Sequence, residues 1–120
     1  MKRLRIMIVD DEEDVRQLGL EILGGNGFDV VTAANGKLAI DRLDESGDVD
    51  LVVLDMIMPV MGGRETCVEL KKRARPSKVL ISTGYSQLSD LEDVLENYAD
   101  GLLQKPYTTG ELLEAVNKLI

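Results

Sequence analysis

Short, uninterrupted runs of apolar residues recur along the chain, and polar residues follow them. The two clearest runs are Ile-Met-Ile-Val at residues 6–9 and Leu-Val-Val-Leu at residues 51–54, and each ends at an aspartate. A strand that is apolar at every position buries both of its faces, as happens in parallel sheets covered by helices on both sides. Similar runs predict further strands at residues 30–33, 79–81 and 102–103.

The segments between these runs carry apolar residues at the spacing of helices that cover a sheet. Asn35 can cap the second helix, residues 44–50 predict an acidic loop, and the third helix is expected over about residues 64–73. Thr108 and Glu111 form a Thr-x-x-Glu capping box that starts the last helix. The positions expected to face the core are Val15, Leu18, Gly19, Ile22, Leu23, Ala39, Ile40, Leu43, Cys67, Leu70, Leu88, Leu91, Val94, Leu95, Tyr98, Leu112, Leu113, Val116, Leu119 and Ile120.

Strand and helix alternate five times, which predicts a doubly wound α/β fold with a five-stranded parallel sheet. The 120 residues suffice for one domain, spanning residues 1–120, with a core that needs no disulfide. No window approaches 18 apolar residues, so we expect no membrane span. The basic start of the chain precedes only four apolar residues, too few for a signal peptide. Together with the single cysteine, these features predict a cytoplasmic protein.

Charge and residue content exclude several kinds of chemistry. The net charge of −8 argues against direct binding of nucleic acid, which needs a positive surface. The chain has no histidine and one cysteine, Cys67, which excludes a Cys/His nucleophile pair and removes the usual zinc ligand. Any reaction must therefore use carboxylates, hydroxyls and lysines.

The polar residues that follow the strands should meet at one edge of the sheet, where open α/β folds bind their ligands. These residues are Asp10, Asp11, Asp55, Thr83 and Lys105. Two carboxylates about 5 Å apart repel each other by roughly 3 kcal/mol at an effective dielectric constant near 20. One lysine cannot balance three acids, whereas Mg²⁺ prefers hard oxygen ligands and often binds together with phosphate. The cluster therefore predicts a magnesium site that handles a phosphoryl group.

These residues, in this order, resemble the receiver domain of two-component response regulators over the whole chain. The resemblance implies a (βα)5 flavodoxin-like fold with strand order 2-1-3-4-5. The segments that carry it are Asp10-Asp11, residues 55–59 with the glycines at 62 and 63, Ser82-Thr83-Gly84 and Lys105-Pro106-Tyr107.

The resemblance also implies a role for each residue of the cluster. Asp55 would accept the phosphoryl group from a phosphohistidine and would also be a metal ligand. Asp10 and Asp11 would bind Mg²⁺, Asp11 more directly, and the backbone carbonyl of Ile57 would be a further ligand. Lys105 would contact the phosphoryl oxygens.

Two further features follow from the resemblance. Thr83 would turn its hydroxyl towards the phosphoryl group and report its presence, with Ser82 as a neighbouring alternative. The bond before Pro106 would be a cis peptide, as in the family.

The chain departs from the family at residue 102. Many receivers carry Tyr or Phe there, as an aromatic ring whose rotation is coupled to the threonine, whereas this chain has Leu102. Tyr85 and Tyr107 are nearby aromatic residues, but neither occupies that position. We therefore expect any conformational switch to work without the usual ring.

The expected partners are a sensor histidine kinase or histidine phosphotransfer protein, and a downstream protein or fused domain. The last two helices and the fifth strand would form the output face and a possible homodimer interface. The chain could be a stand-alone regulator or a receiver from a larger protein, such as a hybrid histidine kinase. We expect weak autodephosphorylation but no classical enzyme activity.

Three alternative functions fit the sequence less well. A haloacid dehalogenase-type phosphatase needs a second aspartate two residues after the first, where this chain has Ile57. A flavodoxin-like redox module needs a phosphate-binding loop after the first strand, where this chain has acids. A degenerate receiver that only binds partners is disfavoured because the five cluster residues are all present.

Overall fold

The computed structural model describes residues 3–84 and 89–120. Five strands alternate with five helices along the chain, as the apolar runs predict. The elements are β1 (Arg5–Val9), α1 (Glu13–Gly24), β2 (Asp29–Ala33), α2 (Gly36–Ser46), β3 (Leu51–Leu54), α3 (Gly63–Lys72), β4 (Lys78–Thr83), α4 (Ser89–Asn97), β5 (Gly101–Gln104) and α5 (Thr109–Leu119).

The strands form one parallel sheet in the order β2-β1-β3-β4-β5, which confirms the expected fold and strand order. The chain starts in the middle of the sheet, moves to β2 at one edge and then returns past β1 to the other strands. The order therefore reverses between β1 and β3, and such a switch point is where α/β sheets bind ligands.

Alternate residues of each central strand point to opposite faces of the sheet, and both faces are covered. Met7 and Val9 belong to one core cluster, together with buried residues of α2, α3 and α4. Ile6 and Ile8 belong to a second cluster, which includes buried residues of α1 and α5. This two-sided burial explains why the strand sequences are apolar at every position.

Local sequence signals for the helix starts are confirmed. The Asn35 side chain accepts a hydrogen bond from the Leu38 N–H at 2.9 Å and caps α2. Thr108 and Glu111 form the reciprocal capping box of α5. The second helix runs to Ser46, so the acidic loop is shorter than predicted.

Two residues predicted to face the core, Leu18 and Ile120, are exposed instead. Leu18 is 50% exposed because α1 packs on the sheet through Gly19, where an added Cβ would lie 2.5 Å from Ile8 Cδ1. Because Gly19 faces the sheet, Leu18, which precedes it by one residue, lies roughly a quarter of a turn around the helix and faces outward. Ile120 is 37% exposed because it lies just beyond the last turn of α5.

Leu102 is 45% exposed, whereas its neighbour Leu103 is 7% exposed. The alternation of a strand points Leu103 at α5 and Leu102 at the opposite face, which is poorly covered at this sheet edge.

Tyr98 lies just after α4 and packs against the first core cluster. The predicted core position Leu88 and the aromatic Tyr85 lie outside the described residues.

Within residues 3–84 and 89–120, no helix combines the length and the apolar character needed to cross a membrane.

Candidate functional site

Backbone pairing continues past the strand ends and places Asp10 beside Asp55. Val9 pairs with Ala33 on one side and with Leu54 on the other. The Asp10 N–H donates to the Ala33 carbonyl at 3.1 Å, and the Asp55 N–H donates to the Val9 carbonyl at 3.0 Å. The two aspartates are therefore held at the carboxyl edge of adjacent central strands by the sheet itself.

Lys105 reaches the same edge from β5. Its N–H donates to the Thr83 carbonyl at 3.0 Å, which extends the pairing of β4 with β5 by one step. Thr83 is the last residue of β4 and is 1% exposed. The peptide bond between Lys105 and Pro106 is cis.

Three carboxylates converge at this edge. One oxygen from each of Asp10, Asp11 and Asp55 lies within 4.8 Å of the others. Asp10 and Asp55 are 3% and 7% exposed, whereas Asp11 lies at the surface of the cluster. The five residues predicted to share one edge therefore include a true carboxylate cluster.

Lys105 contributes a positive charge to this cluster, and its ammonium lies closer to Asp10 than to Asp55. Its Nζ lies 2.6 Å from Asp10 Oδ2 and 3.5 Å from Asp55 Oδ2. Burial alone would lower the pKa of Lys105, but the hydrogen bond and the charge of Asp10, together with Asp55, outweigh burial and raise that pKa. Lys105 therefore remains a cation beside both acids.

Burial raises the pKa of the Asp55 carboxyl above its ordinary value. The charge of Lys105 opposes the rise, and the charge of Asp10 adds to it. Backbone N–H groups of Met56 and Ile57 also hydrogen-bond the carboxylate, Met56 at 2.8 Å to Oδ1, and favour its charged form. Any additional cation nearby would therefore stabilise the charged form of this buried carboxylate, which lies close to a second carboxylate.

The donor set fits a divalent cation with a preference for oxygen. Among the described residues, the three carboxylates outnumber the Lys105 ammonium and the Arg16 guanidinium, which bonds the Asp10 carbonyl, so this partly buried cluster keeps a negative balance. The ligands are hard oxygens, which suit Mg²⁺ rather than a metal that prefers sulfur or imidazole.

The loop after Asp55 is packed tightly against the next helix. The Gly63 N–H donates to the Met56 carbonyl at 2.9 Å. A Cβ added at Gly63 would lie 2.6 Å from the Asp55 carbonyl oxygen. Only glycine lets the start of α3 approach the Asp55 backbone this closely, which explains the glycine noted in the sequence at this position.

Two features of the site were missed at the sequence level. The first is Arg16 in α1, whose guanidinium donates to the Asp10 carbonyl at 2.8 Å. No motif in the sequence singled out this residue. An apolar surface depression also lies beside the cluster. It is lined by Glu12, Val15, Leu18, Gly84, Lys105, Pro106 and Tyr107.

Comparison with known proteins gives consistent matches. The family model for the response regulator receiver domain matches residues 6–117. The chain is 34% identical to the chemotaxis protein CheY of Bacillus subtilis over 117 residues, covering 97% of each protein. It is also 35% identical to the response regulator MprA of Mycolicibacterium vanbaalenii. That match covers 98% of this chain but 50% of MprA.

A solved structure of the response regulator TrrA from Thermotoga maritima, in complex with Mg²⁺-BeF, superimposes with a TM-score of 0.85. The two chains are 37% identical, and the match covers 98% of this chain and 99% of TrrA.

Proposed function

Because this chain belongs to the response-regulator receiver family, we propose that it accepts a phosphoryl group on Asp55 and then controls a partner by changing conformation. Receiver domains serve two-component signalling and are not classical enzymes. The observation that carries the proposal is the convergence of Asp10, Asp11 and Asp55 within 4.8 Å, with Lys105 bonded into the group. This set supplies a nucleophile, cation ligands and a fixed positive charge at one point.

In the proposed reaction, a carboxylate oxygen of Asp55 attacks the phosphorus of a phosphohistidine on the donor protein. The new P–O bond forms as the P–N bond breaks, and the imidazole leaves with the electron pair of that bond. Phosphoryl transfer depends on alignment and charge neutralisation more than on covalent help. The backbone N–H groups of Met56 and Ile57 hold the Asp55 carboxylate, and Lys105 offers its ammonium to the phosphoryl oxygens.

Asp10, Asp11, Asp55 and the backbone carbonyl of Ile57 are the residues that would hold Mg²⁺. When bound, the ion would neutralise negative charge on the phosphoryl oxygens. Receiver domains bind Mg²⁺ at an acidic cluster of this kind, and TrrA was solved with Mg²⁺-BeF. We also propose that the same residues promote slow loss of the phosphoryl group to water.

Thr83 is proposed to respond to the phosphoryl group through its hydroxyl. Its buried place at the end of β4, one backbone hydrogen bond from Lys105, supports this role. Leu102 has no ring to rotate and lies half-exposed on the edge strand. The response would therefore pass through backbone shifts after Thr83 rather than through an aromatic side chain.

The proposed donor is a sensor histidine kinase or a histidine phosphotransfer protein. Val15, Leu18, Pro106 and Tyr107 form an apolar surface directly beside Lys105, which supports docking of the donor here. Such a surface lets the donor bury apolar area while its phosphohistidine faces Asp55.

The proposed output partner is a downstream protein or a fused domain, as the longer relative MprA suggests. The half-exposed Leu102 on the β5 edge supports the predicted output face and homodimer interface at α4, β5 and α5. The net charge of −8 supports recognition of proteins rather than nucleic acid. The proposed location is the cytoplasm, which is typical of receiver domains.

Labelling by acetyl phosphate tests the proposal. The wild-type protein should gain the mass of one phosphoryl group when Mg²⁺ is present, and chelation of Mg²⁺ should prevent it. Asp55→Asn should not be labelled, because an amide is not an acceptor. The matched control Asp14→Asn changes an exposed acid near the start of α1 and should be labelled normally. Persistent labelling of Asp55→Asn would refute the proposed acceptor.

A further inference from the structure

Arg16 connects the first helix to the turn that carries two of the acids. Its backbone N–H bonds to the Glu12 carbonyl at 3.1 Å, so the residue sits in the first turns of α1. Its guanidinium points back towards the end of β1 and donates to the carbonyl of Asp10, six residues earlier, at 2.8 Å. The side chain is partly buried, in contrast to its exposed neighbour Gln17.

The acceptor of this bond is the carbonyl of the peptide that joins Asp10 to Asp11. A peptide unit is planar, so its orientation influences the direction of the side chain on either side of it. The strand pairing ends with Val9 and the Asp10 N–H, and the hydrogen bond from Arg16 lies beyond that pairing. A single side chain thus fixes the peptide between two predicted metal ligands.

The other polar groups of Asp10 are also engaged. Its N–H bonds to Ala33, Oδ1 accepts from the Glu12 N–H at 2.9 Å, and Oδ2 accepts from Lys105 at 2.6 Å. A divalent cation at Asp10 must compete with the ammonium of Lys105 for the carboxylate. The bonds to Ala33 and Arg16 involve only the backbone of Asp10 and can persist during that exchange.

We propose that Arg16 is a positioning residue that presets Asp10 and Asp11 for a divalent cation. This inference rests on the proposed function, in which these two acids bind Mg²⁺. A contact that orients metal ligands raises metal affinity without touching the metal. The charge of Arg16 acts in the opposite direction, because a cation near the site repels Mg²⁺.

The two roles of Arg16 therefore predict opposite signs for one measurement. If Arg16 acts only through its charge, its removal strengthens Mg²⁺ binding. If Arg16 acts by positioning, its removal weakens binding by about tenfold, the usual effect of losing an outer contact of a metal ligand. The sign of the change thus separates positioning from charge.

The experiment is a calorimetric Mg²⁺ titration of the unphosphorylated protein. Arg16→Met removes the guanidinium and keeps an apolar stem, and Arg16→Lys keeps the positive charge and N–H donors on a single nitrogen. Arg42→Met makes the same substitution on the exposed surface of α2 and serves as the matched control. Thermal unfolding in a chelator shows whether each variant is folded, and Arg16→Gln replaces Arg16→Met if the latter does not fold.

We expect about tenfold weaker Mg²⁺ binding for Arg16→Met, largely restored affinity for Arg16→Lys and wild-type affinity for Arg42→Met. Unchanged or tighter binding by Arg16→Met, with normal binding and labelling of the wild type, would overturn the positioning role alone. A wild-type protein that binds no Mg²⁺ would overturn both this inference and the proposed function.

Discussion

Lys105 Nζ lies 2.6 Å from Asp10 Oδ2 but 3.5 Å from Asp55 Oδ2, so the ammonium is bonded mainly to the acid of the first strand. In this arrangement Lys105 partly neutralises a carboxylate that is proposed to bind Mg²⁺. The lysine and the metal ion therefore compete for Asp10. The Asp55 carboxylate, by contrast, remains only loosely paired with the lysine.

The first prediction concerns this competition. Lys105→Met should bind Mg²⁺ roughly tenfold more tightly than the wild type, because a fixed positive charge beside the ligands is lost. Labelling by acetyl phosphate should nevertheless slow, because the phosphoryl oxygens lose the ammonium. Calorimetry and a labelling time course check the two effects. Weaker Mg²⁺ binding by this variant would contradict the competition.

Asp11 and Glu12 provide a matched pair within the acidic run. Asp11→Ala should weaken Mg²⁺ binding by at least tenfold, because Asp11 supplies one of the three converging carboxylates. Glu12→Ala should change it little, because Glu12 contributes to the cluster through its backbone N–H to Asp10. The measurement is a Mg²⁺ titration followed by calorimetry. Equal losses would mean that the run acts only as a diffuse negative field.

Leu18 tests the proposed donor surface. Leu18→Asp places a charge on the apolar depression beside Lys105 and should slow phosphoryl transfer from a cognate kinase by about tenfold. Labelling by acetyl phosphate should be unchanged, because a small donor needs no docking surface. Leu20→Asp, at a position 36% exposed on the same helix, is the control. Equal kinase transfer to both variants would place the docking surface elsewhere.

Leu102 and Leu103 are neighbours on β5 with different environments. Leu102→Ala should lower the free energy of unfolding by less than about 1 kcal/mol, because the side chain is 45% exposed. Leu103→Ala removes a side chain that is 7% exposed and should cost about 2–4 kcal/mol. Urea unfolding measures both values. A large loss at Leu102 would show that another part of the protein covers it.

Gly63 is expected to be intolerant of a methyl group. Gly63→Ala should destabilise the fold by about 1–3 kcal/mol, because its Cβ would lie 2.6 Å from the Asp55 carbonyl oxygen. Gly24→Ala is the contrasting control, since an added Cβ there meets nothing within 4 Å at the end of α1. That change should stabilise the helix by about 0.5–1 kcal/mol. Urea unfolding of the two variants should therefore shift in opposite directions.

The sheet and the position of the carboxylates could be predicted from the sequence because one rule governs both. Strands buried on both faces are apolar throughout, so Asp10 and Asp55 mark the points where two such strands end. The pairing of Val9 with Leu54 then brings the two acids side by side.

The structure differs from the sequence predictions at residues whose contacts are not determined by helical or strand periodicity. A helical repeat identified the apolar side of α1, but the approach of Gly19 to Ile8 decided that Leu18 faces outward. At Leu102, alternation along the strand could not show how well the sheet edge is covered. Arg16 was missed because its partner is a backbone carbonyl, which leaves no trace in the pattern of side chains.

The backbone hydrogen bond from Lys105 to Thr83 has a mechanical consequence. The two residues predicted to contact the phosphoryl group lie at the ends of neighbouring strands, Thr83 as the last residue of β4 and Lys105 just after β5, and this hydrogen bond joins them. We therefore expect a displacement of either backbone along the strand direction to pull on the other. Motion at the Thr83 end of β4 would then reach β5, the edge strand that carries the half-exposed Leu102.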